Sequence, residues 1–232
     1  TDAAVEQDIS AAAGQSLDPA DEERLAVRAL VSLEVSSELP EDRRLAAQQR
    51  RLINCDQRFA LAADQYRSVV QTARKDVASA RMATEILVLD CVDDLQCNGE
   101  SVIRLLSEGA GDRGSMHPIN VMVLSLLLGR AQGLSVSDLQ ELGVAALLHD
   151  LGKLQLPAHL SQPAPHKVAA EWPTYHDHVG ESVALAESMG LSSAVMIAIA
   201  QHHEMADGSG FPLGLLGTDL SPAGRILALV NY

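Results

Sequence analysis

Apolar positions recur along most of this chain at helical spacing. From about 57 to 97 they fall at Leu61, Tyr66, Val69, Val70, Val77, Met82, Ile86 and Leu87, a rhythm that predicts one long, kinked amphipathic helix. Four further helices are predicted at about 117–132, 136–151, 174–189 and 191–205, and another begins near Pro222. Before them, Leu25, Leu30, Leu33 and Val35 mark a helix that Leu39-Pro40 breaks, and a second segment carries Arg43, Arg44, Arg50 and Arg51. A short helix is expected from Glu100 to Glu108, followed by a Gly-rich loop from Gly109 to Ser115. Prolines 157, 163, 165 and 173 mark one connection, and Ala206 to Ser221 is rich in Gly and Pro. No segment reads as a strand.

Composition sharpens this picture. The sequence has 232 residues, of which 47% are hydrophobic and only 3% aromatic. The core must be built from Leu, Val, Ile, Ala and Met, which favours packed helices, so the expected fold class is all-α. Two parts are expected: a helical extension over 1–75 that regulates or dimerises, and a larger domain over 76–232. No apolar run is long enough to span a bilayer, and Thr1 to Ser16 lacks the zones of a signal peptide. Without an initiator Met, the sequence is expected to be a piece of a longer chain. Three cysteines with no CxxC pair suit a reducing, cytoplasmic setting. The net charge of −14 argues against binding long nucleic acid, which needs clustered Lys and Arg. It leaves room for a small phosphate substrate, because bound cations supply local positive charge.

The candidate chemistry lies in the second half. His117, His149, Asp150, His176, His202 and His203 stand out, with His178 as an addition. His149-Asp150 follows the apolar run Val144 to Leu148, and His202-His203 follows Val195 to Ala200. Polar pairs placed straight after apolar helical runs are costly unless paired or bound to metal. Adjacent helical residues point about 100° apart, so a doublet can reach two metals side by side. Imidazole and carboxylate donors suit Fe, Mn, Zn or Ni. Any one histidine alone reads as a hydrogen-bonded core residue; the set reads as a metal site. His159, His166 and His178 keep the ordinary reading, His178 because it lies two residues from His176 on the same helix.

These residues resemble the HD-GYP family, a branch of the HD superfamily of phosphohydrolases. The similarity runs through His149-Asp150-Leu151-Gly152-Lys153, His176-Asp177-His178-Val179-Gly180, His202-His203-Glu204 and Asp207-Gly208-Ser209-Gly210-Phe211-Pro212, over about 76–232. It implies an HD-type helical bundle holding two divalent metal ions, Fe or Mn first and Zn or Ni as alternatives. It implies hydrolysis of cyclic di-GMP to pGpG or GMP. By this resemblance the metal ligands are His117, His149, Asp150, His176, His202, His203 and the position of Asn231, with Asp150 bridging. Lys153 contacts a phosphate oxygen. Asp207, Gly208, Gly210, Phe211 and Pro212 border the substrate and can meet a partner protein.

Three departures from the family pattern matter. Phe211 stands where the family has Tyr, and Asn231 where it has a metal-binding Asp. Arg113, four residues before His117, replaces the acid that accompanies a third metal. The family also continues beyond the position of Tyr232, so the domain is expected to end short here. Two readings stay open: an active cyclic-dinucleotide phosphodiesterase, or a degenerate module that binds and signals. A third, a nucleotidase of the same superfamily, is disfavoured by the Asp207–Pro212 loop.

Overall fold

The computed structural model describes residues 60–97, 113–161 and 171–231. The helices expected before 60 and at 100–108, the Gly-rich loop before Arg113, and His166 lie outside the described residues. The long helix expected to 97 is two: α1 over 60–72 and α2 over Val77–Cys97, separated by a turn at 73–75. Asp76 starts the second by accepting hydrogen bonds from Ser79 N (3.1 Å) and Ser79 Oγ (2.6 Å). Then follow α3 (Arg113–Ala131), α4 (Val136–Leu148), a 3-10 turn (Leu151–Gln155), α5 (Ala158–Ser161), α6 (Trp172–Ser188), α7 (Ser193–Ala200) and α8 (Pro222–Asn231). The fold is all-α. Among the described residues the one β feature is an isolated bridge between Asp207 and Leu216. No helix is long and apolar enough to cross a membrane among those residues.

α4 is the central post. A capping box sets its start: Asp138 N donates to Ser135 Oγ (3.2 Å), and Ser135 N donates to Asp138 Oδ2 (3.3 Å). Its second half, Leu142 to Leu148, is buried throughout, packed by α2, α3, α7 and α8. α1 joins the same core through Ala62, Ala63, Tyr66 and Val69, all buried. Ser192 caps α7, accepting from Val195 N at 3.3 Å. Arg81 of α2 donates to the carbonyls of Met189 (3.2 Å) and Gly190 (3.0 Å), placing a cation at the C-terminal end of α6.

Two irregular stretches position the site. After Leu148 the backbone leaves the helix at Asp150 (φ −101°, ψ 5°) and tightens into the 3-10 turn. That turn lies against α6, where Gly152 N donates to Ser182 Oγ at 2.8 Å. α7 likewise ends at Ala200, earlier than the sequence predicts, and Gln201 to His203 form a turn.

Candidate metal centre

Both polar doublets, His149-Asp150 and His202-His203, fall where a helix gives way to a turn. His149 caps α4, and His202 and His203 follow α7. Three histidines share one device. Nδ1–H donates to the carbonyl three residues earlier: His149 to Ala146 (2.7 Å), His178 to Tyr175, and His202 to Ile199 (2.6 Å). A carbonyl only accepts, so Nδ1 carries the proton in each and Nε2 presents a lone pair.

All three lone pairs converge on Asp150. Its two oxygens face different partners: Oδ1 lies 3.5 Å from His178 Nε2 and 3.8 Å from His202 Nε2. Oδ2 lies 3.4 Å from His149 Nε2, 3.7 Å from His117 Nε2 and 2.6 Å from Lys153 Nζ. Two groups with ligand-type spacing result: Asp150 with His178, His202 and His203, and Asp150 with His117 and His149. His178 Nε2 and His202 Nε2 are 3.4 Å apart, two lone pairs facing each other with a carboxylate oxygen beside them. His149 Nε2, Asp150 Oδ1 and His203 Nε2 are buried and accept no hydrogen bond. Electron-rich atoms so arranged repel one another unless a cation sits among them. The donor set therefore fits divalent metal, and the carboxylate is placed to serve two positions at once.

Electrostatics agree. Burial alone would favour a neutral Asp150, yet His149, Lys153 and His202 hold it well below the usual carboxylate range. Burial works against the charge of Lys153, but Asp150 and Tyr175 more than offset it and its pKa is raised. Lys153 Nζ also lies 5.5 Å from the centre of the Tyr175 ring. Burial pushes His178 down to about 4, and burial with His178 pushes His203 down to about 3. His202, buried beside His149 and His203, falls well below its usual value. Imidazoles that stay neutral are ready ligands.

A pH dependence of the metal-free fold follows. In the unfolded chain these histidines take up protons below about 6.5, whereas in the folded one they do not. The unfolded state binds more protons between 6.5 and the folded pKa, so stability falls as pH falls through that window. From pH 6.5 to 5, His178 alone is expected to remove about 1.5 kcal/mol. Urea midpoints of the EDTA-treated protein at those two pH values check this; equal midpoints would contradict it.

The structure corrects one assignment. His178, not His176, stands in the cluster. The buried side of α6 carries His178, Val179, Ser182 and Ala186. Two residues back, His176 has turned about 200° away and stacks on Phe211 instead (3.8 Å, 13°). The spacing of the buried positions carried the signal, since His178 and Ser182 are one turn apart. Asn231, the last residue of α8, puts Oδ1 3.1 Å from His117 Nε2, beside the cluster.

The loop after His203 closes over it. Phe211 stacks on His203 (4.5 Å, 24°) as well as on His176. Glu204, to which the motif alone assigns no task, is buried and clamps the loop. Its carboxylate accepts from Leu213 N (2.7 Å) and Leu215 N (2.9 Å). Asp207 accepts from Ser209 N at 3.0 Å in a local turn. Gly210 lies so close to the chain at 203–205 that a Cβ would stand 2.3 Å from Met205 N. Tyr66 of α1, also unassigned from sequence, is buried near Asp150; burial and that charge push its phenol well up.

A helical bundle that gathers five imidazoles around one largely buried carboxylate has the donor set of a metal-ligating protein. The family model for the HD domain matches residues 59–232. The chain belongs to the HD domain family. It is 29% identical over 116 residues to the cyclic di-GMP phosphodiesterase PdeB of Borreliella burgdorferi, a match covering 50% of this chain and 31% of that protein. It is 32% identical over 106 residues to the 3'3'-cGAMP-specific phosphodiesterase 2 of Vibrio cholerae, covering 45% of this chain and 20% of the relative. The chain thus spans a third or less of these curated relatives. Among solved structures, Bd1817, a HDG"Y"P protein from Bdellovibrio bacteriovorus, superposes with a TM-score of 0.67 at 21% identity, covering 91% of this chain and 67% of that one. That likeness concerns the fold.

Proposed function

We infer that this protein is a metal-dependent phosphodiesterase that hydrolyses cyclic di-GMP or a related cyclic dinucleotide. The observation that carries the reading is Asp150, with one oxygen toward His178 and His202 and the other toward His117 and His149. Those residues with His203 would hold two divalent cations, Fe or Mn by the family resemblance. Cations there supply Lewis acidity toward phosphate oxygens and make water acidic enough to act as a nucleophile near neutral pH. The chain's own residues orient and balance charge. The Nδ1 bonds of His149, His178 and His202 lock the rings so that ligand atoms need no rearrangement. Lys153, protonated and held at Asp150, contacts a phosphate oxygen and offsets charge that develops as the ester bond breaks. Phe211 and Pro212, held by the Glu204 clamp, wall the substrate side; exposed Leu213 and Leu216 on the same loop suit contact with a partner protein. The cytoplasm is the setting that the three cysteines without a CxxC pair suit.

The names of the relatives support both cyclic di-GMP and 3'3'-cGAMP as substrates to test. The experiment is hydrolysis of each by the protein loaded anaerobically with Fe(II) or Mn(II), with His149→Ala as blank. Turnover that the blank lacks is the expected result. Absence of turnover with metal demonstrably bound would overturn the enzyme reading in favour of the signalling module. One observation favours that second reading: a neutral amide, Asn231, stands beside His117. Asn231→Asp is therefore expected to raise metal content on the His117 side, read by metal analysis after dialysis. Unchanged content would remove Asn231 from the ligand shell.

A further inference from the structure

This inference rests on the cyclic-dinucleotide reading and concerns how the base is held. A cyclic dinucleotide carries a purine beside the phosphate to be cleaved, and a base without its pairing partner is held well by an aromatic face. A run of rings leaves the cluster. It starts at His203, passes through Phe211 (4.5 Å, 24°) to His176 (3.8 Å, 13°), and reaches Trp172, 5.7 Å from His176. Phe211 has an imidazole against each face, so it is a spacer rather than a platform. Trp172 is different. It opens α6, its ring meets Tyr175 at 5.9 Å (83°) and His176 at 5.7 Å (60°), and it is 43% exposed. In a chain with only 3% aromatic residues, this half-open indole lies two ring contacts from the cluster, through Tyr175 to His178 (4.7 Å).

We propose that Trp172 is the base platform of this site: its exposed indole stacks a purine of the cyclic dinucleotide, with His176 and Tyr175, which meet the ring, as positioning residues. Stacking reads a π face rather than hydrogen-bonding groups, so the platform accepts guanine and adenine alike. His176 thereby acts on the substrate side of the site, through Trp172.

Trp172 is the single tryptophan of the sequence, so intrinsic emission reports on it alone. The full chain, kept in EDTA so that no turnover occurs, is titrated with cyclic di-GMP, GMP, AMP and ribose 5-phosphate. Quenching by the three base-bearing ligands and not by the sugar phosphate is expected. Emission unchanged by all four, or changed equally by ribose 5-phosphate, overturns the platform. With metal restored, Trp172→Ala is expected to raise KM for cyclic di-GMP about tenfold more than it lowers kcat, and Trp172→Phe to restore most of the loss. A KM unmoved by Trp172→Ala overturns the proposal. The two readings fail separately: base-dependent quenching without turnover keeps the platform and sinks the enzyme, whereas turnover without quenching does the reverse.

Discussion

Asp150→Ala is expected to empty both metal positions, whereas His149→Ala and His202→Ala each empty one. The reason is the division of its oxygens. Oδ1 belongs to the group with His178, His202 and His203, and Oδ2 to the group with His117 and His149. Without the carboxylate, one group keeps three imidazoles and the other two, and neither has an anion to balance a divalent charge. Activity should fall by about three orders of magnitude, equivalent to about 4 kcal/mol of transition-state stabilisation. Lys153 also loses its partner at 2.6 Å; its side chain is partly exposed, so the cost to folding is modest, about 1 kcal/mol. Metal per chain, measured after gel filtration of the three variants, separates the cases. An Asp150→Ala protein that retains about as much metal as His149→Ala would show that Asp150 does not serve two positions.

The second large effect is expected at Gly152, and it concerns the fold and the site together. A Cβ there would lie 2.1 Å from His178 O and 2.5 Å from Ser182 N, both backbone atoms of α6. Neither atom can swing away, so Gly152→Ala must push the 3-10 turn off α6. That movement breaks the Gly152 N–H bond to Ser182 Oγ and carries Asp150 and Lys153 away from His178. A loss of at least about 3 kcal/mol is expected, a large share of a domain's stability. The contrast is Gly180 on the same helix, where a Cβ would meet nothing within 4 Å. Gly180→Ala should stabilise by about 1 kcal/mol through helix propensity alone. Urea midpoints of the two variants should therefore move in opposite directions from the parent. Similar midpoints would mean that the turn and α6 do not meet as closely as described.

The family resemblance and the geometry reach the same cluster by different routes, and they part at α6. A motif read as a string places His176 at the metal, because the string records order and not rotation. The helix phase is set by what α6 packs on. With Ser182 bonded to Gly152 and Val179 buried, the residue aimed at Asp150 is His178. His176 is freed for the Phe211 and Trp172 rings, a use that no linear pattern suggests.

The sequence by itself determined what depends on neighbours along the chain. The main helices from 117 onward follow from apolar periodicity, the candidate ligands from the polar doublets His149-Asp150 and His202-His203 that follow apolar runs, and the loop from its glycines. Boundaries moved by a few residues because turns at Asp150 and Gln201 are stabilised by contacts to other segments, which local propensity does not register. Only the tertiary structure decided which histidine of α6 faces the carboxylate, how Asp150 divides its oxygens, and what Glu204 clamps. Each of these depends on the rotation and approach of elements far apart in the chain, and a rotation of about 100° per residue makes a two-residue ambiguity the difference between facing Asp150 and stacking on Phe211.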